Sequence, residues 1–324
     1  MISNSAAAEQ VNVYSARKEA LIKPLLDKFT QQTGISVNLV TGKADTLITR
    51  LRSEGKYSPA DLFISTDVGR LYRAKQQDLT QAVDSEILNT NIASNYMDPD
   101  KHWFALTLRA RPLMYAPDRL NATELLRIED LTDEKWRGRI CVRSSSNIYN
   151  QSMVAALIEQ IGEEATEAWV AGLVKNFARP PKGGDRDQIK AVAAGQCDIA
   201  IANTYYLAGM LTDKDQSIRE VAEKVKVLWP NQDDRGTHVN ISGAGITRYA
   251  KNPEGAQRLI EWLSTEEPQM MFSEMNLEMP ANPTVPSAEQ VAAWGGFTQD
   301  SINVEAAGRL QAVAVMLMDR ADYR

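Results

Sequence analysis

Apolar positions along the chain follow two alternating spacings. A short run at 11–14 reads as a strand. Leu21, Ile22, Leu25, Leu26 and Phe29 then recur at three- and four-residue intervals, which predicts a helix over 19–33 stopped by Gly34. Pro24 falls in its first turns, where a missing N–H is best tolerated. Val37 and Leu39 alternate in a second strand at 36–40, a helix follows at 45–54, a third strand at 62–65 and a helix at 68–75. This rhythm predicts an α/β fold with a parallel sheet and right-handed crossovers. In such sheets ligands bind beyond the carboxyl ends of the strands. Those ends carry Tyr14 through Arg17, and Ser65 through Asp67.

The stretch 103–115 predicts a long strand crossing from one lobe to another, and 238–246 a second crossing. Between them lie strands at 140–142, 199–202 and 225–229, with helices at 151–160, 163–175 and 186–194. Helices at 253–263 and 267–272, a Pro-rich loop through Pro286 and a final helix at 304–318 complete the chain. Two lobes joined by two crossings predict a hinged clamshell that closes around a ligand in its cleft. Lobe one is expected at 10–106 plus 240–280, and lobe two at 107–239 plus 281–324.

Composition narrows the function. At 324 residues, with 44% hydrophobic and 24% charged residues, the chain has the size of two soluble globular domains. No apolar run approaches the roughly 20 residues that span a bilayer. A net charge of −6 argues against a nucleic-acid partner, which is met by a basic patch. The start of the chain lacks the basic and apolar regions of a signal peptide. It is therefore cytosolic, or exported with its signal removed, and the small residues at 6–8 suit a cleavage region. Neither a dinucleotide fingerprint, a P-loop, a nucleophile elbow nor an H-E-x-x-H motif occurs, and the chain has only two histidines, so it is not expected to be an enzyme.

The chemistry lies in tyrosines placed at strand ends. Tyr205 and Tyr206 follow the apolar run 199–202, and Tyr149 follows 140–142. Phenolates are hard, anionic oxygen ligands that suit hard, highly charged cations. With a pKa of about 10, a phenol coordinates only where a strong positive charge displaces its proton, as ferric iron does. Packing is the competing account of each tyrosine, since adjacent positions on a helix diverge. Cys141 and Cys197 form a disulfide in an oxidising compartment, or remain two buried thiols.

Several segments, in order along the chain, resemble periplasmic ferric-ion-binding proteins, the solute receptors of bacterial iron(III) ABC importers. They are Val11 through Arg17, Ser58 through Leu62, Thr107 through Arg111, Cys141 through Ser144, Gly183 through Gln188, Asn203 through Tyr206, and His238 through Gly243. The Tyr-Tyr element separates these receptors from their sulfate, molybdate and polyamine relatives. The resemblance implies a type II periplasmic-binding-protein clamshell, a periplasmic monomer without membrane insertion, and an ABC permease as partner. It implies ferric iron as cargo, held by Tyr149, Tyr205 and Tyr206. The place of the lobe-one ligand reads Arg17-Lys18-Glu19, a departure that points to the three-tyrosine subgroup with a bound anion such as carbonate. Arg109 is expected to hold that anion in a guanidinium fork, with Arg17 second. Glu19 or Asp67 is the alternative source of a lobe-one oxygen.

Other residues read as structural. Asp185-Arg186-Asp187 is expected to cap the following helix, His102 to face solvent, His238 to be hydrogen-bonded, and Met270, Met271 and Met275 to pack in the core. Asn203 and Ser144 are expected to orient tyrosines. The alternative function is a clamshell receptor for an oxyanion or small organic solute, with the tyrosines as aromatic walls.

Overall fold

The structure, a computed structural model, describes residues 9–324; the small-residue run at 6–8 lies outside them. Packing divides the chain into two units. The first comprises residues up to Leu108, Ile241–Asn276 and Pro280–Pro286; the second comprises Arg109–Asn240, Leu277–Met279 and Ser287–Arg324.

The chain begins in the first unit with β1 (Gln10–Ser15), a 3-10 turn at Glu19–Leu21, α1 (Lys23–Thr33), β2 (Ser36–Thr41), α2 (Ala44–Glu54), β3 (Leu62–Ser65), α3 (Val68–Gln76) and α4 (Glu86–Asn91), and β4 (Phe104–Ala110) runs from the first unit into the second. The second unit holds β5 (Leu113–Tyr115), β6 (Ile140–Cys141), α5 (Ile148–Ile161), α6 (Glu163–Lys175), α7 (Asp185–Ala193), β7 (Ile199–Ile201), α8 (Thr204–Leu211), α9 (Gln216–Ala222) and β8 (Lys226–Leu228). The return strand β9 (Val239–Ile246) leads to α10 (Pro253–Leu263), α11 (Glu266–Asn276) and β10 (Met279–Pro280). Three short helices follow: α12 (Glu289–Ala292), α13 (Glu305–Arg309) and α14 (Gln311–Arg320).

The strands form a six-stranded sheet, β10-β4-β9-β3-β1-β2, and a four-stranded sheet, β6-β7-β5-β8. The βαβ units do pair in parallel, with Val11 opposite Val37, Val13 opposite Leu62 and Ile140 opposite Ile199. The sheets are nonetheless mixed. The crossing strand β9 runs antiparallel to β3, and β5 antiparallel to β7 and β8. The expected strand at 103–115 is two strands in two sheets, broken at Arg111-Pro112, where proline removes a ladder donor. Two glycines let β9 lie close to its neighbour: a Cβ at Gly243 would meet the Phe104 carbonyl at 2.6 Å, and one at Gly245 the His102 carbonyl at 2.6 Å.

Local differences from the pattern have physical causes. The helix expected from residue 19 starts at Lys23, with Pro24 in its first positions. Residues 281–286, expected in lobe two, belong to the first unit. Gln269 Oε1 accepts from the Ala281 and Asn282 N–H groups, and Asn282 Nδ2 donates to the Ser264 carbonyl. Met270 and Met275 are exposed rather than core residues, because Gln269, Phe272, Ser273 and Asn276 set the inward face of α11. Cys141 and Cys197 are joined in a disulfide across β6 and the entry to β7, with Cα atoms 5.9 Å apart.

Candidate functional site

The parallel neighbours β6 and β7 each lead into a helix that carries tyrosine in its first turn. At α5, Asn147 is the N-cap, and its side chain accepts from the Tyr149 N–H at 3.1 Å. Asn203 occupies the equivalent place before α8. Side chains in a first turn lean toward the helix N-terminus, where the positive end of the macrodipole favours anionic oxygen.

The three tyrosines are thereby brought together. The rings of Tyr205 and Tyr206 have centroids 4.3 Å apart, tilted by 36°. Tyr149 lies within hydrogen-bonding reach of Tyr205, and a negative charge there opposes ionisation of both neighbours. All three are partly buried. Burial drives the phenol of Tyr205 well above its usual pKa, and the charge of Tyr149 adds to this while Arg109 opposes it. Burial also raises Tyr206, again with Tyr149, while Arg143 pulls it back. Without a metal the phenols of Tyr205 and Tyr206 are held protonated, so a cation that binds them must displace protons.

Two guanidinium groups flank the cluster. Arg109 lies 5.4 Å from the Tyr205 ring centroid and donates to Glu278 Oε1 at 2.9 Å. Arg143 lies 5.9 Å from the Tyr149 ring centroid. Sequence patterning assigned no role to Arg143.

Behind the tyrosines is a buried polar network centred on Arg111. Its NH1 donates to Asp185 Oδ2 and to Asn203 Oδ1, each at 2.9 Å, and its NH2 to Asn150 Oδ1 at 2.6 Å. Asp185 also accepts from the Asn203 N–H at 3.0 Å and from Arg143 at 3.3 Å. Asp185 is thus a buried ion-pair centre. The capping expected of this segment is performed by Asp187, which accepts from the Gly184 N–H. Asn203 contributes as expected of a supporting residue, reaching the Tyr205 phenol at 3.5 Å. Ser144 instead hydrogen-bonds to Ser146. From the sequence, Asp185 reads only as part of a helix cap and Arg111 only as part of a resembling segment, while Asn150 and Tyr323 are not singled out. The one available signal was a second charge, two positions after Arg109, in an otherwise apolar run.

The candidates in the first unit are placed differently. Arg17 is buried, donates to Thr107 Oγ1 at 2.7 Å and stacks 5.1 Å from the Phe272 ring centroid. Asp67 is the N-cap of α3, accepting from the Gly69 N–H at 2.8 Å. Glu19 is exposed in its 3-10 turn.

The histidines depart from expectation. His102 is half-buried and shares a hydrogen bond with Thr80 at 3.1 Å. Both ring nitrogens of His238 are buried and lack a partner among the described residues, and burial with nearby Arg111 lowers its pKa to about 3.

Among the described residues no three His, Cys, Asp or Glu side chains gather where a metal could sit, and no helix is long and apolar enough to cross a membrane.

Known proteins share this arrangement of chain. "Iron uptake protein A1" of Synechocystis sp. is 44% identical over 316 residues, 98% of this chain and 88% of the relative. "Iron uptake protein A2" from the same organism is 42% identical over 99% of this chain and 92% of the relative. A Trichodesmium structure described as in complex with iron and citrate ligands superposes with a TM-score of 0.95 at 47% identity, covering 97% of this chain and all of the other. Residues 25–299 match the family described as bacterial extracellular solute-binding protein. With that match across most of its length, and relatives this similar, the chain belongs to the bacterial extracellular solute-binding proteins.

Proposed function

We propose that this protein is the periplasmic receptor of a ferric-iron ABC importer, that it acts as a monomer, and that it binds iron rather than turning over a substrate. The observation that carries the reading is the gathering of Tyr149, Tyr205 and Tyr206 in the first turns of α5 and α8. Relatives named for iron uptake, and the related Trichodesmium structure with iron and citrate, support it.

In this reading the ferric ion replaces the phenol protons of the three tyrosines, and each phenolate formed is stabilised by the metal charge and by the helix N-terminus beneath it. Three phenolates leave positions on a six-coordinate ion for a small anion such as carbonate or a carboxylate. Arg109 carries the anion assignment further than Arg17, because its guanidinium, also paired with Glu278, lies over the Tyr205 ring, while the partners of Arg17, Thr107 and Phe272, lie outside the tyrosine cluster. Binding releases protons, so affinity rises with pH. Release at the permease is assisted by phenolate protonation, by anion loss, or by reduction of the iron by an external one-electron donor.

The test is a visible absorption titration of iron-free protein with ferric citrate, with and without bicarbonate. A phenolate-to-iron band that saturates at one equivalent is expected, and a bicarbonate-dependent shift identifies carbonate as co-ligand. A colourless protein that instead binds phosphate or sulfate overturns the reading in favour of an oxyanion receptor.

A further inference from the structure

One guanidinium, that of Arg111, reaches the starts of three helices, α5, α7 and α8, two of which carry the tyrosines. We propose that Arg111 is the positioning residue of the tyrosine site, setting the spacing between the helix that carries Tyr149 and the helix that carries Tyr205 and Tyr206. The inference rests on the ferric reading above and extends it from the ligands to what holds them.

The geometry is specific. Asn150, which accepts from Arg111 NH2 at 2.6 Å, is the residue after Tyr149 in α5. Asn203, which accepts from Arg111 NH1 at 2.9 Å, is the N-cap of α8, two positions before Tyr205. The same NH1 donates to Asp185 at the start of α7, and Asp185 in turn fixes the Asn203 backbone N–H at 3.0 Å. Arg111 is itself anchored by its backbone N–H, which donates to the His238 carbonyl at 3.0 Å, and is 2% exposed. A planar guanidinium with its donors in a fixed fork can hold three acceptors at set angles, which the point charge of an ammonium cannot. Charge-assisted bonds in a buried setting are short and directional, so the fork transmits position rather than merely attraction.

Asn150 is braced from its other side by Tyr323. The Tyr323 hydroxyl accepts from Asn150 Nδ2 at 2.8 Å and donates to the Arg143 carbonyl at 3.0 Å. Burial holds this phenol protonated, and its ring packs edge-on against Phe177 with centroids 5.1 Å apart. Tyr323 therefore offers a milder perturbation of the same clamp, because phenylalanine removes one hydroxyl and keeps the ring.

The experiment compares wild type, Arg111→Lys, the charge-balanced pair Arg111→Gln with Asp185→Asn, and Tyr323→Phe. Each is titrated with ferric citrate for the position and intensity of the phenolate-to-iron band, and for affinity by competition with citrate. Near-ultraviolet circular dichroism and thermal midpoints are recorded alongside. Folded variants are expected to bind iron about 10- to 100-fold more weakly, the usual effect of losing support behind a metal ligand, with a shifted band. Folded variants that keep the wild-type band and bind within about twofold of wild type, a difference of the size seen for neutral substitutions, would show that Arg111 stabilises the fold without positioning the site. If the Arg111 variants do not fold, Tyr323→Phe decides by the same two readouts. A wild type without any band overturns the ferric reading itself, and this inference with it. That outcome is distinct from an intact wild-type band with unaffected variants.

Discussion

The strand ends of the two units contrast sharply in how their polar groups are engaged. In the first unit, Asp67 caps α3, Arg17 is held by Thr107 and Phe272, and Glu19 stands exposed in a 3-10 turn. Each group serves local structure or solvent. In the second unit, Tyr149, Tyr205 and Tyr206 converge, and a buried network of Arg111, Asp185, Asn150 and Asn203 stands behind them. Position at a strand end does not by itself gather oxygen groups into a cluster. What distinguishes the second unit is that most of its polar support is spent on helix starts, with Asn203 alone of that network reaching a phenol, that of Tyr205. The same arrangement raises Tyr205 and Tyr206 above their usual pKa, so that displacing their protons requires a strong Lewis acid.

The contrast breaks most directly at Tyr205. Tyr205→Phe keeps the ring and removes the phenolate, so iron affinity by citrate competition should fall by more than the roughly 100-fold expected of a supporting residue, with the thermal midpoint little changed. Unchanged affinity would remove Tyr205 from the ligand set. Next in size is the disulfide that ties β6 to the entry of β7, the two strands that deliver the tyrosines. Replacing Cys141 and Cys197 by serine should lower stability by about 2–4 kcal/mol, measured by urea unfolding, through the larger freedom of the unfolded chain.

Acid supplies a third test. His238 has a folded pKa of about 3 against about 6.5 when unfolded, so the unfolded chain binds the proton more readily. Its stabilising contribution is complete above pH about 6.5 and is lost as pH falls toward 3. Urea midpoints at pH 7 and pH 4.5 should show that fall, and His238→Gln should make it shallower; an identical pH slope in the variant would show that the histidine is not the titrating group. The smallest effects sharpen the first-unit side of the comparison. Asp67→Ala should cost about 1 kcal/mol of stability as a lost helix cap. Glu19→Gln should leave iron affinity within about twofold, as an exposed substitution does. A large loss of iron binding from either would restore a ligand to the first unit.

The legible and illegible parts of this molecule divide by the range of the interactions involved. The α/β alternation was written in the chain, because strand and helix periods depend on neighbours a few residues apart. Helix α10 runs as expected over Pro253–Leu263. The break in the 103–115 strand was readable in Pro112, but the assignment of its halves to two sheets depended on partners far away in sequence. Helix phase failed at Met270 and Met275, because Gln269 turns a polar position inward to bind the Leu106 and Leu263 carbonyls. For the site, the tyrosines were conspicuous as residue types. Their support was not, since Asp185 resembled an ordinary helix cap and nothing near Tyr323 in sequence marks its partner Asn150.

By itself, then, the sequence determined the α/β class, the three phenols at strand ends and the chemistry that suits them, because these follow from side-chain identity and short-range periodicity. Tertiary structure alone decided that the three phenols meet, that Cys141 bonds Cys197, and that Arg111 reaches three helix starts at once. Those contacts join residues tens of positions apart, which folding brings together, in part through the parallel pairing of β6 with β7.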